Sequence, residues 1–316
     1  MSTVSDGMGV RDASGAWVSV GQTVPAIATR GSQRALPRLR NALRIALTVA
    51  YFALVFTVLL APLVVVIGGS FSAPANDQVV MSYVQFPPER LTLKWYREIP
   101  PPQLQALGFS FALGLAVALG ACLVGVPAAI GLVRARFRGR GLVSAIMRAP
   151  LQIPHVVAGI AFLQLYYVAG DWCGIYLQGT TAGLFVGHLF LATPFVIGSV
   201  AAVLQRFNVR LEEAAHVLGA SRWRALRRVT LPVIMPGVFT GALYAFIVSF
   251  VDVPVAVFLA SADATTFPVE LFHAMEQDFN PSSLASASLA AGFAIVLVVL
   301  AQRLVGLDSL LKSNTR

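Results

Sequence analysis

Long apolar runs alternate with short polar connections along this chain. Six runs come close to the ~20 residues that a helix needs to cross a hydrocarbon core. They lie at about 45–69, 106–133, 142–168, 181–204, 236–260 and 284–302. Residues 1–40 are rich in Ser, Thr, Gly, Val and Arg and hold no sustained apolar stretch, so they read as a disordered tail. They also lack the charged start, short apolar core and small-residue cleavage site of a secretory signal. The pattern predicts an all-α integral membrane protein with six spans. It divides into a tail at 1–40, a first helix with its outer segment at 41–103, a membrane domain at 104–305 and a second tail at 306–316.

The longest polar interruption in the second half of the chain is Leu211–Pro236, LEEAAHVLGASRWRALRRVTLPVIMP. It reads as two short helices with a hinge. Leu211, Ala214, Ala215 and Leu218 follow the i, i+3, i+4, i+7 spacing of one helical stripe. Glu212 and Glu213 sit in the first turn, where the helix dipole favours negative charge. Gly219 is free to take a positive φ and close the first helix. Ser221 is placed to cap the second, which carries Trp223 and Leu226 among Arg222, Arg224, Arg227 and Arg228. Leu231 and Pro232 are expected to end it.

Composition agrees with the spans. Of the 316 residues 57% are hydrophobic and 12% charged, against about 25% charged in a soluble domain. The formal charge of +9 does not imply nucleic acid, because what matters is where the charge sits. With the N-terminus inside, 20 of the 23 Lys and Arg residues fall in the cytoplasm and only Arg90, Lys94 and Arg97 outside. That asymmetry predicts both termini and the 211–236 loop on the cytoplasmic side, and nucleic acid is not among the expected partners.

The outer connections differ in character. Residues 70–105 are proline-rich, and in FPPERLTLKWYREI the alternation of Leu91, Leu93 and Trp95 predicts a short ordered piece followed by a helical turn. Residues 261–283 carry Asp263, Glu270, Glu276 and Asp278 and no Lys or Arg, which reads either as acids simply tolerated outside or as a field that attracts cations. Small-residue spacing at Gly183/Gly187 and Gly237/Gly241 permits close helix approach in lipid.

Catalytic chemistry finds no foothold. Cys122 and Cys173 are far apart, and His155, His188, His216 and His273 are scattered without ligand spacing, so no metal or cofactor is expected. Neither Lys94 nor Lys312 follows a glycine, so the chain holds no P-loop. Asp252 is the one acid inside a predicted span. A carboxylate there faces a cavity, a partner or water, and it either lines a pathway together with Ser249 or sits just beyond the hydrocarbon. Pro254 is expected to bend or end the helix beside it.

The 211–236 loop resembles the EAA loop of permease subunits of bacterial ABC importers. The pattern of that family is Glu-Ala-Ala, a Gly four residues on, and a Leu-Pro about a dozen later. Here it is Glu213, Ala214, Ala215, Gly219, Leu231 and Pro232. The resemblance covers about residues 104–305 and implies the type I importer transmembrane fold in a bacterial inner membrane. It further implies that the loop docks on a separate cytoplasmic ATPase dimer, that a second permease completes the pathway, and that a periplasmic solute-binding protein delivers the substrate. ATP hydrolysis then belongs to the partner chain, and this chain is no enzyme.

A narrower resemblance joins the closing region to the second permease of spermidine/putrescine importers. It rests on Ser249-Phe250-Val251-Asp252, Thr265-Thr266-Phe267-Pro268, Pro281 and Ala285-Ser286. Val251 stands where that family has a first acid, and Phe267 where it has Leu. The implied substrate is a polyamine, and the implied second permease a distinct chain. Related importers for thiamine, ferric iron, phosphonates and opines share the general pattern. An ion-coupled secondary transporter would need more intramembrane ionisable groups than Asp252. A membrane enzyme or scaffold would leave the EAA pattern unexplained.

Overall fold

The computed structural model describes residues 10–11, 13–15, 17–18, 35–73, 86–88, 90–261, 264–277 and 281–313. The chain forms two compact units, 1–62 and 63–316. In the first, β1 (Val10–Arg11) pairs antiparallel with β2 (Trp17–Val18), with Gly15 at φ +87° between them. The helix α1 (Ala35–Ser70) starts in this unit and runs across its boundary. Within 1–40 the described residues are this strand pair with its turn and the start of α1; the rest of the tail lies outside the described residues. Val and Trp favour paired strands, and Ala, Leu and Arg carry the helix ten residues upstream of the apolar run. Pro37 is tolerated in the first turn, where its missing N–H has no partner to lose.

The second unit contains the remaining membrane helices. After α1 the chain forms an antiparallel bridge between Ser72 and Leu91 and then the single turn α2 (Lys94–Arg97), the ordered piece and helical turn expected from the alternation. Trp95 Nε1 donates to the Ser72 carbonyl at 2.7 Å, and the Ser70 and Tyr96 hydroxyls lie 2.8 Å apart, which pins the turn to the end of α1. Next come α3 (Pro101–Arg134), α4 (Arg140–Arg148), α5 (His155–Cys173) and α6 (Thr181–Leu204). The loop helices α7 (Arg210–Val217) and α8 (Arg222–Ala225) follow. The chain closes with α9 (Leu231–Val251), α10 (Pro254–Leu259), α11 (Phe267–Gln277) and α12 (Pro281–Ser313). Among the described residues six helices are long and apolar enough to cross a membrane.

Three boundaries differ from the hydropathy reading, each at proline. The third span does not start near 142. Residues 140–148 are a separate short helix, and Pro150 and Pro154 interrupt the backbone before α5 begins at His155. The fifth span stops at Val251 instead of running to 260, because Pro254 cannot continue it and restarts the chain as α10. Leu231 and Pro232 do not end the second loop helix. From Arg222 the backbone stays helical to Val251, passing through a π-turn at Leu226–Thr230 in which the Leu231 N–H reaches the Leu226 carbonyl. The wider turn absorbs the hydrogen bond that Pro232 cannot make.

The core is built by α3, α6 and α9, packed against one another. Val196 on α6 is fully buried between two glycines. A Cβ on Gly125 of α3 would lie 2.9 Å from the Val196 Cβ, and one on Gly241 of α9 would lie 2.7 Å from the Val196 Cα. Gly237, one turn earlier, packs on Ser199 and Val200 in the same way. The Gly237/Gly241 spacing is thus the α6–α9 crossing. Gly183 and Gly187 instead admit the Leu177 carbonyl and the Leu259 side chain. On the outer side of the core, Phe246 meets Phe111 edge-on and stacks on Phe250, tying α3 to α9.

Replacing Gly241 by Ala should lower the thermal stability of the detergent-solubilised protein by about 1–3 kcal/mol, the usual cost of overpacking. Gly198→Ala, on the same α6 but with nothing within 4 Å of the new methyl group, should be neutral. Equal midpoints for the two variants would contradict the close-approach account.

Candidate functional site

Two places gather the residues that the sequence singled out. The first is the α7–α8 loop. Gly219 has φ +83° and closes α7 with paired bonds: its own N–H reaches the His216 carbonyl and the Ala220 N–H reaches the Ala215 carbonyl, both at 2.9 Å. This is a Schellman closure, which needs a left-handed residue at that position. The Ser221 hydroxyl accepts from the Arg224 N–H at 3.3 Å and caps α8.

The loop is clamped to the bundle by Glu212, the glutamate outside the Glu-Ala-Ala triplet. Its Oε1 accepts from Arg134 Nη2 at 2.7 Å, at the last residue of α3, and from the hydroxyl of Thr230, buried in the π-turn at the root of α9. The Arg134 guanidinium also lies 5.5 Å from the centre of the Phe207 ring. Glu213 and Ala214 face outward, Ala215 and Leu231 are half-buried, and Pro232 is exposed. The outer face of the loop is apolar, with Val217 87%, Leu218 88% and Trp223 70% exposed. Patches of this kind mark interaction surfaces.

The second place is the break between α9 and α10. Asp252 has an extended backbone, and its Oδ2 accepts from the Val255 N–H at 2.9 Å and the Ala256 N–H at 3.2 Å. It therefore caps the helix that Pro254 restarts. Its Oδ1 is 2.9 Å from His155 Nδ1, at the first residue of α5. His188 Nε2 lies 3.9 Å from the carboxylate, beyond hydrogen-bond range, while its Nδ1 is 2.9 Å from the Ser249 hydroxyl. His188 is about 10 Å along α6 at 1.5 Å per residue, so the cluster lies within the helical layer and not at its rim. The Asp252 side chain is 1% exposed in this conformation, covered by both histidines.

Ser249 and Asp252 thus share one cluster, joined through His188. Sequence reasoning missed His155 and His188, since 33 residues separate them and no ligand spacing links them. Only the helix packing brings them together. It also passed over Glu212, because two adjacent glutamates at a helix start look alike until α3 is seen beside one of them. Among the described residues no group of three or more His, Cys, Asp or Glu is placed to hold a metal ion.

A third feature lies at the end of the bundle where α3 begins. A cleft of about 590 Å³ is bordered by Gln103, Val257, Ser261, Thr265, Glu270 and His273, from α3, α10, α11 and the connection between the last two. Glu270 brings a carboxylate to it. Of the other acids of the 261–283 segment, Asp263 and Asp278 lie outside the described residues.

The family of binding-protein-dependent transport system inner membrane components matches residues 121–307, more than half of the chain. The chain belongs to this family. Among its relatives, the putrescine transport system permease protein PotI of Escherichia coli (strain K12) is 30% identical over 260 residues, covering 81% of this chain and 88% of the relative. The spermidine/putrescine transport system permease protein PotC of the same strain is 29% identical over 267 residues, covering 84% and 95%. Among solved structures, a bacterial ABC transporter involved in import of the acidic polysaccharide alginate shares the fold. Its TM-score is 0.63 at 17% identity, over 84% of this chain and 96% of that one. The protein is a multi-pass inner-membrane permease subunit of an ABC importer with the type I fold.

In this permease Asp252 offers a test of its structural part. Asp252→Ala strands two backbone N–H groups inside the helical layer, at a cost of about 2 kcal/mol or more. Asp252→Asn keeps an oxygen for the cap and should cost less than half as much. Thermal unfolding in detergent reads both, and equal losses would remove the capping role.

Proposed function

We propose that the permease translocates a polyamine such as spermidine or putrescine across the inner membrane. In this reading it works with a cytoplasmic ATPase dimer, a distinct second permease and a periplasmic solute-binding protein. The observation that carries the substrate is the likeness to two polyamine permeases over more than four fifths of the chain. The cleft at the start of α3 supports it. Glu270 supplies a carboxylate for an ammonium end, Ser261 and Thr265 supply oxygen atoms, and Val257 and Val269 supply apolar wall for the methylene stem. The cleft volume is within the range of small-molecule sites.

The α7–α8 loop is the coupling element, with both termini on its cytoplasmic side. Glu213, Ala214, Ala215 and Gly219 shape a small, closed helix end, and the exposed Val217, Leu218 and Trp223 give it an apolar docking face. Glu212 carries the push of the ATPase to two membrane helices at once, through Arg134 to α3 and through Thr230 to α9. Leu231 and Pro232 follow the π-turn at the root of α9, where the helix is least regular. At the far end of α9 lie Ser249 and Asp252. These are the candidate pathway residues, at the break between α9 and α10 and beside His155 and His188.

Labelled putrescine and spermidine should enter cells only when the gene is present. Unlabelled polyamines should compete, and thiamine, ferric chelates, phosphonates and opines should not. Glu270→Gln should raise the half-saturation concentration roughly tenfold, the loss of one charged hydrogen bond. Gene-dependent uptake of one of the competitors instead would replace the polyamine with that solute.

The coupling role has its own test. Proline cannot adopt the φ of Gly219, so Gly219→Pro should leave ATP hydrolysis by the assembled importer measurable while uptake falls at least tenfold. Unchanged uptake would remove the loop from the coupling path.

A further inference from the structure

An apolar cavity of about 240 Å³ opens between the end of α3 and the short helix α4, bordered by Ala128, Gly131, Leu132, Phe137, Val143 and Met147. Its wall carries almost no polar surface. Val143 and Met147 turn one face of α4 onto the core. Leu142 and Ile146 turn a neighbouring face outward, 66% and 61% exposed. Arg140 and Arg148 lie with Ser144 on a third, four residues apart each time.

The charge around this cavity is one-sided. Arg134 is paired with Glu212. Arg136, Arg138, Arg140 and Arg148 border the cavity wall in sequence, and among the described residues none of them has an acidic partner. A helix with an apolar face and a basic face lies in the plane of the membrane interface, and unpaired arginines at that depth attract anionic headgroups. The Arg134–Glu212 pair also fixes the side: α4 and the α7–α8 loop are at the same membrane surface.

We infer that the α3–α4 cavity holds one acyl chain of an anionic phospholipid of that leaflet, with its phosphate held among Arg136, Arg138, Arg140 and Arg148. The lipid would brace the end of α3, the helix to which Glu212 clamps the loop. The site stands on the cavity and the unpaired arginines and is independent of the transported solute.

The test uses the purified full-length permease in detergent, with lipid retention read by native mass spectrometry during titration with palmitoyl-oleoyl phosphatidylglycerol or phosphatidylcholine. Wild type should retain one phosphatidylglycerol at least roughly tenfold better than phosphatidylcholine. Changing the four arginines together to Gln should abolish that preference, and changing them to Lys should keep most of it. Gly131→Leu should weaken retention of both lipids, because it fills the cavity. A Cβ there has nothing within 4 Å, so the backbone accepts a side chain at this position, and this variant decides the matter even if the Gln variant fails to fold. Equal retention of the two lipids by wild type overturns the inference, as does unchanged retention in Gly131→Leu. If the Gln variant keeps its lipid preference but loses ATP-coupled uptake in the assembled importer, the arginines serve the ATPase and the inference also fails.

Discussion

The membrane unit depends on how closely α6 approaches its two neighbours. Lipid tails are as apolar as leucine, so helices in a bilayer gain little from burying hydrophobic area and must gain from packing. Val196 meets this requirement by sitting between Gly125 and Gly241, where neither partner has room for a methyl group. The same contact places Gly237 on Ser199. With three helices locked at one level, the far end of α9 is held beside α6. That is what brings Ser249 under His188 and Asp252 against His155.

The polar groups follow from the constraint in turn. A chain break inside the helical layer frees backbone N–H groups that have no water to turn to. At Val253 and Pro254 the break is tolerated because Asp252 reaches across it to two of them. One carboxylate therefore does two jobs, closing the backbone of α10 and tying it to α5. The loop at the other end uses the same economy. Glu212 receives an arginine from α3 and a hydroxyl from the root of α9, so α7 cannot shift without moving both. The two sites lie at opposite ends of one helix, α9, with the π-turn at its root.

Much of this was legible in the sequence, and the limits have physical causes. The span at 181–204 matches α6, because Thr180 caps its start and no break falls within it. Gly219 and Ser221 were readable as closure and cap, since both signals are local. The spans at 142–168 and 236–260 were misread because hydropathy does not distinguish one helix from two joined at Pro150–Pro154 or at Pro254. Pro232 was misread in the opposite direction, because a π-turn accommodates the proline and leaves no mark in composition. The His155–Asp252–His188 cluster draws on three helices distant in sequence, so only packing reveals it. The role of Glu212 over Glu213 is hidden for the same reason.

The basic residues show how one signal serves several purposes. Their bias toward one side of the membrane is an orientation signal whatever the individual arginines touch. The structure separates them. Arg134 carries a specific contact, a pair with Glu212 and a ring beneath its guanidinium, and its role is positional. Arg136, Arg138, Arg140 and Arg148 have no such partner within the described chain, although they follow within fourteen residues. An unpaired arginine in water costs nothing, but four of them around an apolar cavity and an exposed Leu142–Ile146 face are not a soluble surface. That combination fits a boundary between headgroup and acyl chain. The α3 terminus, on which the Glu212 clamp rests, is accordingly set by the membrane on one side and by Glu212 on the other.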